Sequence, residues 1–261
     1  MTRAIVMFIA VLWVLALALA IKLAYFPSAK DAYFAMDERS LQQAPANLVV
    51  IRPTHFSLAV FRRGVVYAPG LTSRIDPTRI MGRDVSLRDV IAVAWQLDSA
   101  RVRMPAGAPT NNVDFIVTAS QPRKRLQRAI RDAFGYSADK ETVVTDILAI
   151  KEEDPSLPGI VISGKGEHEG SRYRNGRLYI THMRLKELTG GLEQALKIPV
   201  VDETGLTNYY DFSLEWDTQL FMRLRDPSTA RPVLDKLLAN WGLGLEPDTA
   251  SLEMLVVKKA W

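Results

Sequence analysis

Apolar residues alternate between two periods along this chain, and the alternation predicts its elements. Leu48–Ile51 and Phe56–Phe61 read as short strands, the first stopped by Pro53, with a turn at Arg62-Arg63-Gly64 and a proline-bearing loop over residues 68–78. Val85, Leu87, Val90, Ile91, Ala94 and Trp95 then recur at helical spacing, with Ser86 placed as N-cap and Asp89 three residues on. Strands follow at Arg101–Met104 and Val113–Ala119. Pro122 suits the first turn of a helix whose Leu126, Ile130 and Phe134 form one stripe, and Gly135 suits its stop. Thr142–Ile150 is a β-branched strand.

The same order returns further on. Arg79-Ile80-Met81 before Val85-Ser86-Leu87-Arg88-Asp89-Val90 is echoed by Arg177-Leu178-Tyr179 before Met183-Arg184-Leu185-Lys186-Glu187-Leu188. Asp114-Phe115-Ile116-Val117 recurs as Asp211-Phe212-Ser213-Leu214, and Asp146–Lys151 as Glu253–Lys258. An insertion at Asp217–Pro227 absorbs the change of offset. The second set comprises a helix at Arg184–Leu196, a strand at Tyr210–Trp216, a helix at Ala230–Trp241 with a Val233, Leu237, Trp241 stripe, and a strand at Leu252–Lys258. Before it, Ile160–Ser163 and Arg177–Thr181 flank a charged loop and are expected to pair as a hairpin. The expected fold is α+β: a β-α-β-β-α-β unit present twice, its helices packed on antiparallel or mixed sheet.

The N-terminus follows a different rule. Residues 4–21 carry no charged or polar side chain, enough for a short membrane-spanning helix of ~17–25 residues, flanked by Arg3, Lys22 and Lys30. A cleaved signal peptide with Ala18-Leu19-Ala20 as its site is the competing reading. Either places the remainder outside the cytoplasm, in the periplasm. The expected organisation is a transmembrane signal anchor over 1–26, a stalk over 27–47, a first lobe over 48–151 and a second lobe over 152–261.

Composition narrows the chemistry. The chain has 261 residues, no cysteine and a formal net charge of +4. Disulfides, thiol catalysis and Cys-ligated zinc are therefore excluded. Residues 1–30 hold three basic residues and no acid, which leaves 30 basic and 29 acidic residues in the remainder. So balanced a body does not suit a general nucleic-acid binder, which needs a net basic face.

No motif demands a cofactor or a metal. Glu167-His168-Glu169 lacks the spacing of a metal site, and a solvated loop is the simpler reading. Asp202-Glu203-Thr204-Gly205 resembles an aspartic-protease tripeptide broken by Glu203, and reads as a turn. Gly190-Gly191, inside a helical pattern, is expected to permit close packing. The strongest charge run is Arg123-Lys124-Arg125 with Arg128 and Arg131, the polar face of an amphipathic helix or the contact for an anion, a lipid headgroup or an acidic partner. Trp261, with no later chain to cover it, is a further candidate contact.

One stretch is specific enough to suggest a family. Pro199-Val200-Val201-Asp202-Glu203-Thr204-Gly205-Leu206, followed by Tyr210-Asp211-Phe212-Ser213-Leu214-Glu215-Trp216, resembles the bacterial domain of unknown function 3738, as do Leu243–Pro247, Leu255–Val257 and Leu87–Ile91. The usual Gly-Gly-Pro-x-Trp segment of that family is replaced around Arg103–Pro109. The resemblance implies a soil-bacterial chain behind an export signal or anchor, with no activity, cofactor or catalytic residue attached.

The expected function is a non-catalytic, membrane-anchored extracytoplasmic module. Its partners would be the lipid bilayer, through the N-terminal helix, and another membrane or envelope protein, as an accessory subunit of a complex. The alternatives are a cell-envelope hydrolase using a carboxylate pair (Asp202 with Glu203, or Glu167 with Glu169) and a small-ligand or glycan receptor.

Overall fold

A computed structural model describes residues 44–54, 70–72, 78–153, 160–164, 168–215 and 227–260, with Trp13, Phe34, Leu41 and Leu224 as isolated positions. The expected anchor over residues 4–21 therefore lies, apart from Trp13, outside the described residues. Among those described, no helix is long and apolar enough to cross a membrane.

The protein is α+β. Its chain folds into two compact units, each discontinuous in sequence. One comprises residues 1–95, 104–137 and 257–261; the other comprises 96–103 and 138–256. The division expected from sequence, at 151/152, follows the repeated sequence pattern, whereas these units follow contacts.

In the first unit, β1 (Val49–Pro53), β2 (Gly70–Thr72) and β3 (Ile80–Val85) join a later strand, β5 (Val113–Val117), in an antiparallel sheet of order β1-β5-β3-β2. Between β3 and β5 runs α1 (Leu87–Trp95). After β5 comes α2 (Pro122–Phe134), which packs on α1, β1 and β5. Ser86 caps α1 as expected: its Oγ donates to Asp89 Oδ2 at 2.6 Å and accepts from Asp89 N at 3.1 Å. Gly135 ends α2 at φ 70°, a left-handed cap that costs glycine little.

Every residue of β5 is buried, because both faces of the sheet are covered. On one face Met81 and Ile116 pack with Phe34, Leu41 and Ala44, and with the half-buried Leu48 and Val50. The segment expected as a stalk thus contributes to the core. Arg79 Nη1 donates to the carbonyls of Leu41 and Ala44, both at 2.9 Å, and Arg83 Nη1 donates to that of Phe34 at 3.1 Å.

The second unit holds two sheets. One is formed by β7 (Ile160–Ile162), β8 (Gly170–Arg174), β9 (Arg177–Met183) and β11 (Tyr210–Glu215), all antiparallel in the order β7-β11-β9-β8. The other is mixed. It contains β4 (Val102–Arg103), β6 (Tyr136–Glu152), β10 (Val200–Asp202) and β12 (Leu243–Lys259) in the order β10-β6-β12-β4. β10 lies parallel to β6 and β4 parallel to β12. The ion pair Lys140–Glu253 and the hydrogen bond from Glu153 N to Gly242 O make β6 and β12 antiparallel neighbours.

Two helices, α3 (Leu185–Leu196) and α4 (Pro227–Ala239), pack on each other, and α3 also packs on β10. The core is built from Leu185, Leu192 and Leu196 of α3, Ala230, Leu234 and Leu238 of α4, Phe212 and Leu214 of β11, and Trp241. The buried stripe of α4 thus runs one position away from the predicted Val233 and Leu237. Leu237 packs at its edge, which a broad apolar face allows.

The structure corrects two local expectations. Ile160–Ile162 pairs with β11 rather than with Arg177–Thr181. β9 pairs instead with β8, through a two-residue turn at Asn175 (φ 51°) and Gly176 (φ 75°), the left-handed pair that a tight hairpin requires. Gly190 and Gly191 are exposed, and a Cβ at either would meet nothing within 4 Å, so they permit no close packing.

Candidate functional site

The predicted basic residues fall on α2. Leu126 and Ile130 are fully buried on one side of it, and Lys124, Arg125, Arg128 and Arg131 are exposed on the other. Arg123 is half-buried. Three cations occupy the first turn, where the helix dipole is positive. The N-cap, Gln121, sits at φ 54° with no side-chain cap, and the first turn has no acid. Arg131 reaches Asp132 at 3.8 Å, an exposed pair of little worth. Among the described residues no carboxylate pairs with Lys124, Arg125 or Arg128. Trp261 lies outside the described residues.

Of the carboxylates considered for hydrolysis, Asp202 is engaged in a turn. Asp202 Oδ1 accepts from Thr204 N at 3.1 Å and Thr204 Oγ1 at 2.7 Å, and Thr204 Oγ1 accepts from Leu206 N at 3.1 Å. With Gly205 at φ 72°, Asp-Glu-Thr-Gly is a self-bonded turn. Glu203 is exposed, Glu169 is exposed on its loop, and Glu167 lies outside the described residues. No group of three or more His, Asp or Glu could hold a metal among the described residues.

Sequence reasoning matched Asp114 with Asp211 and missed what they do. Asp114, fully buried, accepts from Asp84 N at 3.0 Å and Thr54 Oγ1 at 3.1 Å, and pairs with Arg52 at 3.5 Å. Asp211 accepts from His182 N at 2.9 Å and from Ser163 Oγ. Asp84 and His182 share a positive φ, 53° and 54°, and each lies within an irregularity of its sheet's register. Each carboxylate therefore ties a bulge to the neighbouring strand and satisfies an amide that the ladder leaves free.

This arrangement excludes one tempting reading. Ser163, His182 and Asp211 are the residue types of a hydrolytic triad, but the serine donates directly to the carboxylate and histidine contributes its backbone. The His182 ring stacks on Tyr209 at 4.0 Å and 7°, its buried Nδ1 without a partner, and Arg184 lies 4.6 Å over the same tyrosine. A triad needs the imidazole between serine and acid. In the first unit the same position is an aspartate, so the bulge does not depend on a histidine ring.

A second carboxylate was also invisible to motif reading. Glu193, buried inside α3, is held by Arg101 in a fork: Nη2 to Oε1 at 2.7 Å, with Nε at 3.0 Å from Oε1 and 3.2 Å from Oε2. Glu193 Oε1 also accepts from Val200 N at 3.0 Å. Lys197 Nζ donates to Ser99 Oγ at 3.1 Å. These bonds hold residues 99–101, a single 3-10 turn, to α3. Such a buried pair serves geometry more than net stability.

Comparison with known families places this framework. The family described as protein of unknown function (DUF3738) matches residues 88–260, and the chain belongs to that family. Neither curated proteins nor solved structures gave a significant match.

Proposed function

We propose that this protein is a non-catalytic, membrane-anchored extracytoplasmic module, an accessory subunit that binds an acidic surface of another envelope or membrane protein. The observation that carries the reading is the outward face of α2. Lys124, Arg125 and Arg128 stand exposed there with no carboxylate partner among the described residues, over a helix whose opposite face is core. A solvated helix face usually interleaves its charges, and a single-sign stripe is the footprint of a complementary partner. The non-catalytic part rests on the engagement of Asp114, Asp202, Asp211 and Glu193 with backbone, hydroxyl and guanidinium groups. The anchor rests on the uncharged run of residues 4–21.

The test is extraction of the full chain in mild detergent and native mass spectrometry of what co-migrates, beside the double variant Arg125→Glu/Arg128→Glu. A stoichiometric complex with wild type, and a folded variant alone at its own mass, is the expected pair of results. Wild type migrating alone, or a complex indifferent to the charge reversal, overturns the proposal.

We also infer that the chain is an internal duplication. The orders β1-β5-β3-β2 and β7-β11-β9-β8 support it, as do the twin carboxylate-tied bulges and the glycine caps at Gly135 and Gly242. In the mixed sheet, Val102 pairs with Leu255 and Val200 with Leu148, equivalent residues exchanged between repeats. A crystal structure placing any of these strands differently in the two sheets would remove the inference.

A further inference from the structure

The sheets β1-β5-β3-β2 and β7-β11-β9-β8 differ on one face. Met81 pairs with Ile116 in the first, under Phe34, Leu41 and Ala44. The corresponding pair in the second is Tyr179 with Ser213, and Tyr179 is 39% exposed. Along β11 burial alternates. Tyr210, Phe212 and Leu214 turn to the core, while Asp211, Ser213 and Glu215 turn away, as in a sheet with one open face.

That open face carries an arrangement of its own. Side chains on one face of a strand repeat every second residue, so Arg172 and Arg174 share it, about 7 Å apart. Across the hairpin Arg172 faces Tyr179 and Arg174 faces Arg177. Arg177 also has Glu215 opposite it on β11, which offsets its charge, so Arg172 and Arg174 on the edge strand are the cations left for an incoming anion. A cavity of about 630 Å³ opens here, lined by His168, Arg172, Arg174, Asn175, Tyr179 and Thr181, with no carboxylate among its described lining residues. Thr181 Oγ1 bonds the carbonyls of His168 at 3.2 Å and Gly170 at 3.4 Å, which seats His168 at the rim.

We propose that this cavity binds an acidic saccharide. Its volume is that of a small-ligand site and far exceeds an inorganic anion. Two guanidiniums offer forked donors to carboxylate or phosphate oxygens. The exposed Tyr179 ring offers a flat apolar surface for a sugar ring, and the Asn175 amide and Thr181 hydroxyl suit its hydroxyl groups. An acidic peptide would satisfy the arginines but leave the ring and the amide unused. This site is separate from the α2 surface and does not depend on the protein-binding reading.

The experiment is isothermal titration of the full chain in detergent micelles with trigalacturonate, with maltotriose and a triglutamate peptide as comparators. Trigalacturonate alone is expected to bind. Arg172→Ala and Arg174→Ala should each weaken it about tenfold or more. Tyr179→Leu should weaken it while leaving both arginines in place. All three side chains are exposed, so these variants fold, and circular dichroism checks that they do. Absence of heat with trigalacturonate, equal binding of maltotriose or triglutamate, or binding untouched by the arginine variants overturns the proposal. Retention of binding in Arg125→Glu/Arg128→Glu separates this outcome from that of the α2 surface.

Discussion

The two antiparallel sheets share a strand order and a carboxylate-tied bulge, yet one is buried on both faces and the other on one. The first acquires its second cover from Phe34, Leu41 and Ala44, residues that precede the sheet in the chain. No described residue covers the corresponding face of the second sheet, where Tyr179 and Ser213 stand in place of Met81 and Ile116 and Arg172 faces Tyr179 from the edge strand. One topology is thus buried on both faces in one place and exposed on one face in another. The cover decides which.

The largest test of that comparison is to remove the cover. Phe34→Ala deletes a side chain that is 1% exposed and under the Arg52 guanidinium at 4.3 Å, and it should cost about 3–5 kcal/mol in chemical denaturation. Tyr179→Ala at the counterpart face should change stability by less than about 0.5 kcal/mol. Equal losses would mean the second face is covered after all.

Next come the bulge carboxylates. Asp114→Ala strands an amide, a hydroxyl and an arginine at a fully buried site, and should cost about 3–5 kcal/mol. Asp211→Ala, at a half-buried site, should cost about 1–3 kcal/mol. Urea midpoints of the two variants check the order. A larger loss at Asp211 would break the link between cover and electrostatic strength.

The smallest effect sharpens the contrast between buried and surface charges. Lys151 hydrogen-bonds Glu246 at 2.8 Å and also lies near Asp248 and Glu203. The Glu246 hydrogen bond, joined by the charges of Glu246, Asp248 and Glu203, outweighs desolvation and raises its pKa above 10.5. A raised pKa means the fold favours the charged amine. Its contribution is therefore present below 10.5 and lost as pH rises through the raised value. Thermal melts of wild type and Lys151→Met should differ near pH 9 and converge once the pH has risen past the raised value. A difference that persists at the higher pH would show that the lysine acts by packing.

Part of this was legible. Ser86 with Asp89, Pro122, Gly135 and the Leu126–Ile130 stripe read correctly as caps and core, since each depends on neighbours within a turn or two. The Asn175-Gly176 pair is also a local turn signal, and it sets the β8–β9 hairpin. The open strands were not legible. Thr142–Ile150 and Leu252–Lys258 extend into strands of 17 residues each, through Asp139, Lys140 and the run Glu246-Pro247-Asp248, whose propensities oppose it. Pairing of β6 with β12 overrides those preferences. Basic residues on α2 could be named from sequence, whereas the arginine–tyrosine face could not, because Arg172 and Tyr179 meet only across the hairpin.

By itself the sequence determined the α+β class, the order of helices and main strands, and the family. These follow from periodicity and from residues close along the chain. Tertiary structure alone decided that β7 joins β11, that Arg101 closes on Glu193, that Asp114 and Asp211 hold bulges, and which sheet face is left open. Each of those outcomes is a contact between distant segments. Whether distant segments meet depends on which buried surface remains to be covered once the local elements have formed.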